Sequence, residues 1–228
     1  MILNLLIGLP GDRPGGLVLT LVCFFASGAG ALMVGFVYAV ICVALPRTGL
    51  VFQAASGLVR GIPLILLVYL LAHVSLFTIR AAGLLALTLY SFGHVGEILR
   101  SFLIAYPRPA ADQARLMGIG AFHEWLVLRA PWTLWRSWGA LLTHWISLLK
   151  DTGALVVLGI GELTTTAKLL SEASPNFRQW ALILVVAALL YFAATLTLIR
   201  LMPWAAGQLL RILQVQRDTT PKIGGRYA

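Results

Sequence analysis

The sequence predicts an all-α integral membrane protein with five transmembrane helices, and three observations lead there. Hydrophobic residues fill 60% of the 228 positions and charged residues only 11%, an apolar share above that of soluble globular domains. Mean hydropathy is +0.91. The apolar residues are also gathered into runs close to the ~20 residues that a helix needs to cross a bilayer. These runs lie at 16–45, 64–76, 81–106, 132–149 and 180–203. The second is short by itself and reaches spanning length when its helix begins near Val51, giving 51–76 and carrying Ser56, Gly57 and Arg60 inward. Five spans then form one domain, 1–228.

Taken in order, the opening "MILNLLIGLPGDRPGG" is apolar but brief, lacks a basic leading region and ends in Gly, Pro and Asp. It is expected to be an interfacial segment rather than a signal peptide. The first span contains "ASGAGALMVG", and in membranes such small residues let helices approach closely. Cys23 and Cys42 both fall within it, about five helical turns apart, and are expected to be buried bystanders with no metal-binding spacing.

In the second span Arg60 precedes Gly61 and Pro63, a pair that breaks or bends a helix and frees backbone carbonyls. Irregular backbone at membrane depth is tolerated where protein or a water-filled cavity satisfies it, and in transporters such breaks often border the substrate site. Arg60, Gly61 and Pro63 are therefore candidates for gating or substrate contact, with a purely packing kink as the alternative. In the third span His94, Glu97 and Arg100 recur at three-residue spacing and share a helix face. Ionisable groups at that depth are costly unless paired or facing water. Either Glu97 and Arg100 form an intrahelical pair that fixes packing, or the face lines a polar path where Glu97 meets an ammonium or guanidinium group.

The connection "ADQARLMGIGAFHEWLVLRAP", Ala111 to Pro131, is polar and helix-forming. Pro107 and Pro109 end the third span, and Pro109 suits the first turn of a new helix. Asp112 is expected in that first turn, where the helix dipole favours a carboxylate. Gly118 and Gly120 mark a helix stop or tight turn, and Ala121 to Leu128 can start a second helix that stops by Pro131. The connection 107–131 thus reads as helix, glycine turn, helix.

Around the fourth span, Trp125, Trp132, Trp135, Trp138 and Trp145 look like interface anchors. At its far end come Lys150, Asp151 and Thr152, with Gly153 loosening the backbone. Adjacent Lys and Asp cannot face each other on a helix, so each is expected to find its own partner, near a polar path or, for Lys150, by snorkelling to the interface. The fifth span is expected to close at Pro203.

The net charge of +9 is read through its distribution, which in a membrane protein sets topology. It does not indicate nucleic acid. Arg108, Arg115, Arg129 and Arg136 surround the third-to-fourth connection, and Arg211, Arg217, Lys222 and Arg226 occupy the tail. The first connection has Arg47, while Arg13 and Arg80 stand on the other side. Connection and tail are then cytoplasmic and the N-terminus outside; Lys168 and Arg178 run against this bias, accompanied by Glu162 and Glu172.

Enzymatic alternatives find little support. A rhomboid-type protease needs Gly-x-Ser-Gly, and "FASG" and "AASG" lack its leading Gly; "HEWLV" at His123 lacks the second His of a zinc site; no Walker-A string occurs, and "GIG" at Gly159 is too little for a phosphate loop.

The pattern Asp112-Gln113-Ala114, then Gly118, then Pro131, resembles the Glu-Ala-Ala loop of ABC importer permeases, specifically the polar amino acid permease family. "RGIPLILLVYLL" (Arg60 to Leu71) is similar to that family's Arg-Gly-Thr-Pro segment, "LTLYSFGHVGEILRSFL" (Leu87 to Leu103) to its third span, and "LLKDTGALVVLGIGEL" (Leu148 to Leu163) to its Lys-Asp/Asn-Thr/Ser-x-Leu segment. The likeness runs from Gly16 to Arg200. It implies the type I, MetI-like fold in the bacterial cytoplasmic membrane, and polar or charged amino acids or close analogues as substrates. It also implies three partners: an ABC ATPase beneath, an extracytoplasmic substrate-binding protein, and a second permease subunit forming a homodimer or heterodimer. No cofactor or metal is implied for this chain; ATP and Mg belong to the ATPase.

In that setting the 107–131 connection is expected to be the ATPase-coupling segment. Ala114 and Gly118 would keep its contact face shallow, Asp112 and Arg115 would make charged rim contacts, Phe122 or Trp125 would anchor the second helix, and Pro131 would close it. The chain departs from the pattern where Gln113 replaces the first Ala, Asp112 shortens the Glu, and Leu67 stands where the family often has Gln. A channel or membrane scaffold is the rival reading, and it would not require a glycine-broken helix pair.

Overall fold

The computed structural model describes residues 1–11, 14–74 and 77–212. Arg13, the end of the expected second span, and the tail residues Arg217, Lys222 and Arg226 lie outside them. The described chain is helical throughout: α1 (Ile2–Ile7), α2 (Gly16–Ala44), α3 (Pro46–Gly61), α4 (Leu64–Ala72), α5 (Ile79–Ile104), α6 (Arg108–Leu116), α7 (Ala121–His123), α8 (Ala130–Asp151), α9 (Leu163–Glu172) and α10 (Phe177–Ile212). Among the described residues four helical stretches are long and apolar enough to cross a membrane, five if the bent pair α3–α4 counts as one span.

The centre of the fold is the pairing of α2 with α5. Between lipid-facing helices the hydrophobic effect supplies little, so close backbone approach and dispersion hold such pairs together. The small residues of "ASGAGALMVG" permit this: a methyl group added at Gly35 would lie 3.0 Å from the amide nitrogen of Gly96. Around this pair a continuous apolar core gathers Phe24, Leu87, Leu99, Leu141 and Leu148. Cys23 and Cys42 are free and buried. A second cluster at the other end packs Leu5 of α1 against Leu163, Ile183 and Ala187, so the opening segment is docked onto the bundle.

The structure adjusts several of these spans. The second begins at Pro46 rather than near Val51 and, at the break expected at Gly61 and Pro63, consists of two helices, α3 and α4, bent by 97°. Pro63 has no N–H to continue α3 and forces Ile62 into an extended conformation (φ −83, ψ 124). Pro131 does not close the second helix of the connection. Residues Ala121–Leu158 form one rod, because the six residues Glu124–Arg129 adopt a π-helical turn, whose wider spacing absorbs the carbonyl that a proline would otherwise strike. The helix that carries the fourth span therefore starts well before 132. The fifth apolar span, expected over 180–203, falls within Phe177–Trp204, and Pro203 lies inside α10, costing one backbone bond without ending the helix.

The tryptophans also need a correction. Trp145 is buried in the core, and Trp138 packs edge-on against it at 5.4 Å. They pack helices rather than anchor an interface; Trp135 is the exposed one.

Candidate functional site

The connection between α5 and α8 is built from its stop signals upward. Pro109 stands in the first turn of α6. Asp112 falls in the second turn, not the first as expected, so it gains little from the helix dipole; it pairs loosely with Arg115 at 4.0 Å, both side chains well exposed. Gly118 then takes φ +75. Its N–H bonds the Arg115 carbonyl at 2.9 Å, and the Ile119 N–H bonds the Ala114 carbonyl at 3.0 Å. These two bonds form a Schellman stop, which requires a left-handed residue.

Ala114 is 1% exposed and so lies on the inner face of α6, where it seats the helix; it does not stand on an outer contact face. The outward surface is instead Asp112, Arg115, Leu116 (88% exposed), Met117 and Phe122 (80% exposed). Trp125 is packed inward under the guanidinium of Arg129, 4.8 Å from its ring. Pro131 is half-buried in the rod.

Along α5, Tyr90, His94, Glu97 and Ser101 share one stripe at alternating four- and three-residue spacing. The structure brings Arg60, Glu97 and Arg100 together. Arg100 Nε donates to Glu97 Oε2 at 2.9 Å, the Tyr38 hydroxyl donates to Glu97 Oε1, and Arg60 Nη2 lies 4.0 Å from Oε1. The intrahelical pair and the cross-helix network thus coexist. Arg60 holds this position at the end of α3, directly before the bend at Gly61 and Pro63, and 35% of its side chain is exposed. Its stem lies over Gly93, where any side chain would collide with it.

His94 belongs to a neighbouring group. Its ring stacks on His144 at 5.4 Å and lies tilted against Tyr90 at 4.9 Å, while Nδ1 lies 3.0 Å from the Tyr90 carbonyl. Asp151 is half-buried and Lys150 exposed, as expected of adjacent residues with separate surroundings. Thr152 is fully buried, its hydroxyl bonded to the Leu149 carbonyl at 2.7 Å. It lies where α8 passes into the tighter turn Thr152–Leu158. Gly153 is a place of close approach, since a methyl group there would meet the Thr164 hydroxyl at 2.9 Å.

Two further carboxylates, Glu162 and Glu124, to which the sequence pattern assigns no site role, are buried. Glu162 is 0% exposed and caps α9: it accepts the amides of Thr164 and Thr165 at 2.8 Å each and the hydroxyls of Thr165, Tyr191 and Thr20. Beside it the Gly16 N–H bonds the Gly161 carbonyl at 2.7 Å, so one acidic side chain knots α2, α9 and α10 together. The lone Glu ahead of Thr-Thr-Thr was the available signal. Glu124 is 2% exposed and accepts from Arg129 Nε at 2.8 Å. Their five-residue separation matches no α-helical face, which is why the pair is invisible to a 3.6-residue reading. Among the described residues no group of His, Cys, Asp and Glu is arranged to hold a metal ion.

No family model matches the chain. Curated relatives do. It is 30% identical over 145 residues to the probable glutamine ABC transporter permease protein GlnP of Bacillus subtilis (strain 168), covering 61% of this chain and 66% of that protein. It is 28% identical over 153 residues to the arginine ABC transporter permease protein ArtQ of Haemophilus influenzae, covering 61% and 67%. It is 26% identical over 173 residues to the probable amino-acid ABC transporter permease protein PatM of Vibrio harveyi, covering 72% and 76%. Among solved structures, an amino acid ABC transporter with histidines superposes with a TM-score of 0.71 at 22% identity, covering 85% of this chain and 92% of that one. The inward-facing MetNI methionine ABC transporter gives 0.65 at 19% identity with the same coverage.

Proposed function

Since this chain belongs to the amino acid ABC transporter permeases, multi-pass inner-membrane subunits that are not themselves enzymes, we propose that it forms one half of an importer's translocation pathway for polar or charged amino acids or close analogues. A second permease subunit, the same chain or a different one, completes the pathway. A binding protein delivers substrate from outside, and a cytoplasmic ATPase holding ATP and Mg supplies the work. The N-terminus is outside and the α5–α8 connection cytoplasmic, which puts its arginines on the inner face.

Alternating access follows from mechanics. Closure of the ATPase pulls on α6 and α7, and α5 and α8 rock with them to open the cavity to each side in turn. One observation carries this reading: a short helix ended by a left-handed glycine presents exposed Leu116, Met117 and Phe122, flanked by Asp112 and Arg115, while both its ends continue into spans. Apolar anchors with a charged rim are what a docking surface needs. A channel or scaffold has no use for such a protrusion.

Within the membrane the path runs beside the α5 stripe, with Arg60 at the α3–α4 bend, Glu97, Arg100 and His94 as the residues nearest to it, and Lys150 and Asp151 at the end of the rod. Both oxygens of Glu97 are already engaged.

The test is a cysteine at Met117 crosslinked within the assembled transporter during turnover. Capture of the ATPase supports the proposal; a position that reacts only with a soluble reagent while uptake continues overturns it. Uptake of amino acids and opines by the same transporter then identifies the substrate.

A further inference from the structure

Resting on the reading of 107–131 as the coupling segment, we infer that Glu124 and Arg129 are positioning residues that clamp the base of this segment, so that force at its tip reaches α5 and α8 together. The segment begins just after Tyr106, beyond the end of α5 at Ile104, and has merged with the rod by Glu124. Both ends are pinned at one point. Arg129 Nε and Nη2 lie 2.8 and 2.7 Å from Glu124 Oε1. The same guanidinium sits 5.1 Å from the Tyr106 ring centroid and 4.8 Å from that of Trp125, and Tyr106 is held on its other flank by Trp132 at 5.3 Å, edge-on. One cation therefore joins the residue just before the segment to the π turn near its other end.

The π turn is what makes the clamp possible. In an α-helix, residues five apart point about 140° away from each other. The i→i+5 turn over Glu124–Arg129 brings the two onto one face, as π turns at functional sites often do. Both members are shielded, with side-chain exposures of 3% and 17%, so the pair is little screened by salt. Guanidinium stacking on two rings also fixes orientation in a way that a flexible ammonium does not. Without the clamp, a pull on α6 would be spent on opening the Tyr106–Glu124 gap.

The test compares Glu124→Gln, Arg129→Lys and the double variant Glu124→Gln/Arg129→Met in the assembled transporter, reading ATP hydrolysis and uptake separately. The double variant leaves no unpaired buried charge and so guards against simple misfolding. The expected result is normal membrane assembly, continued ATP hydrolysis, and uptake per ATP reduced about tenfold, with Arg129→Lys intermediate because charge remains but the stack is lost. Spin labels at Met117 and Met33, both exposed, in a background lacking Cys23 and Cys42, should give a broadened distance distribution in the double variant. Unchanged uptake per ATP overturns the inference, as does a double variant that no longer assembles, since the pair then serves folding. The coupling reading itself is judged apart, by the Gly118 variants below: if they uncouple transport and the Glu124 and Arg129 variants do not, the clamp alone fails.

Discussion

The hydroxyl of Tyr38 on α2 donates to the carboxylate of Glu97 on α5, so the two central helices are joined by a polar bond in the midst of an apolar core. Arg100 and Arg60 complete the ring around that carboxylate. Tyr38→Phe should lower stability by about 1 kcal/mol, the usual worth of a part-buried hydrogen bond, seen as a lower thermal midpoint in detergent. Glu97→Gln should cost more and lower uptake, since two guanidinium groups then lack their counter-charge. A variant with normal uptake and altered assembly would assign Glu97 to packing alone.

Gly96 provides an independent check on the same contact. A methyl group there would lie 2.5 Å from the Tyr38 ring, so Gly96→Ala must push the ring away from Glu97. The variant is expected to reproduce the Tyr38→Phe midpoint shift, and the double variant to add little beyond either single one. Full additivity in the melting series would show that the ring does not move.

At Gly118, φ of +75 is a conformation that a β-branched residue adopts only at a cost of about 1–2 kcal/mol. Gly118→Val should therefore unwind the end of α6 and uncouple ATP hydrolysis from uptake while the subunit stays in the membrane. Gly118→Asn, which tolerates this region, should retain most activity. Equal uptake by both variants would remove the coupling role from this turn.

Glu162→Ala should be among the more damaging substitutions at the far end of the bundle. It orphans the amides of Thr164 and Thr165 together, each worth about 1–3 kcal/mol when buried and unmet, and leaves the Tyr191 hydroxyl with Thr164 as its remaining partner. Glu162→Gln retains one acceptor and should be milder. Proteolysis between α9 and α10 in detergent reads the difference, with faster cleavage expected in the Ala variant.

Much was legible in the chain itself because bilayer thickness imposes a simple rule on composition. Apolar runs located α2 and α5 to within a few residues, and Pro109 with Gly118 bounded α6, because backbone chemistry at proline and glycine is local. The face shared by His94, Glu97 and Arg100 followed from helical periodicity. The Glu124–Arg129 pair did not, because a π turn breaks that periodicity, and neither did the burial of Ala114 or Thr152, which depends on what packs against them.

By itself, then, the sequence determined which segments are apolar enough to cross a membrane and where glycine and proline interrupt them, since hydropathy and backbone stereochemistry act over a few neighbouring residues. Only the tertiary structure decided that Arg60, beside the α3–α4 bend, meets Glu97, that Glu162 knots three helices, and that Arg129 reaches Glu124 and Tyr106 at once. Each of these joins groups whose proximity is set by helix packing, and in a bilayer packing is governed by shape and unmet polar valence, which no local pattern encodes.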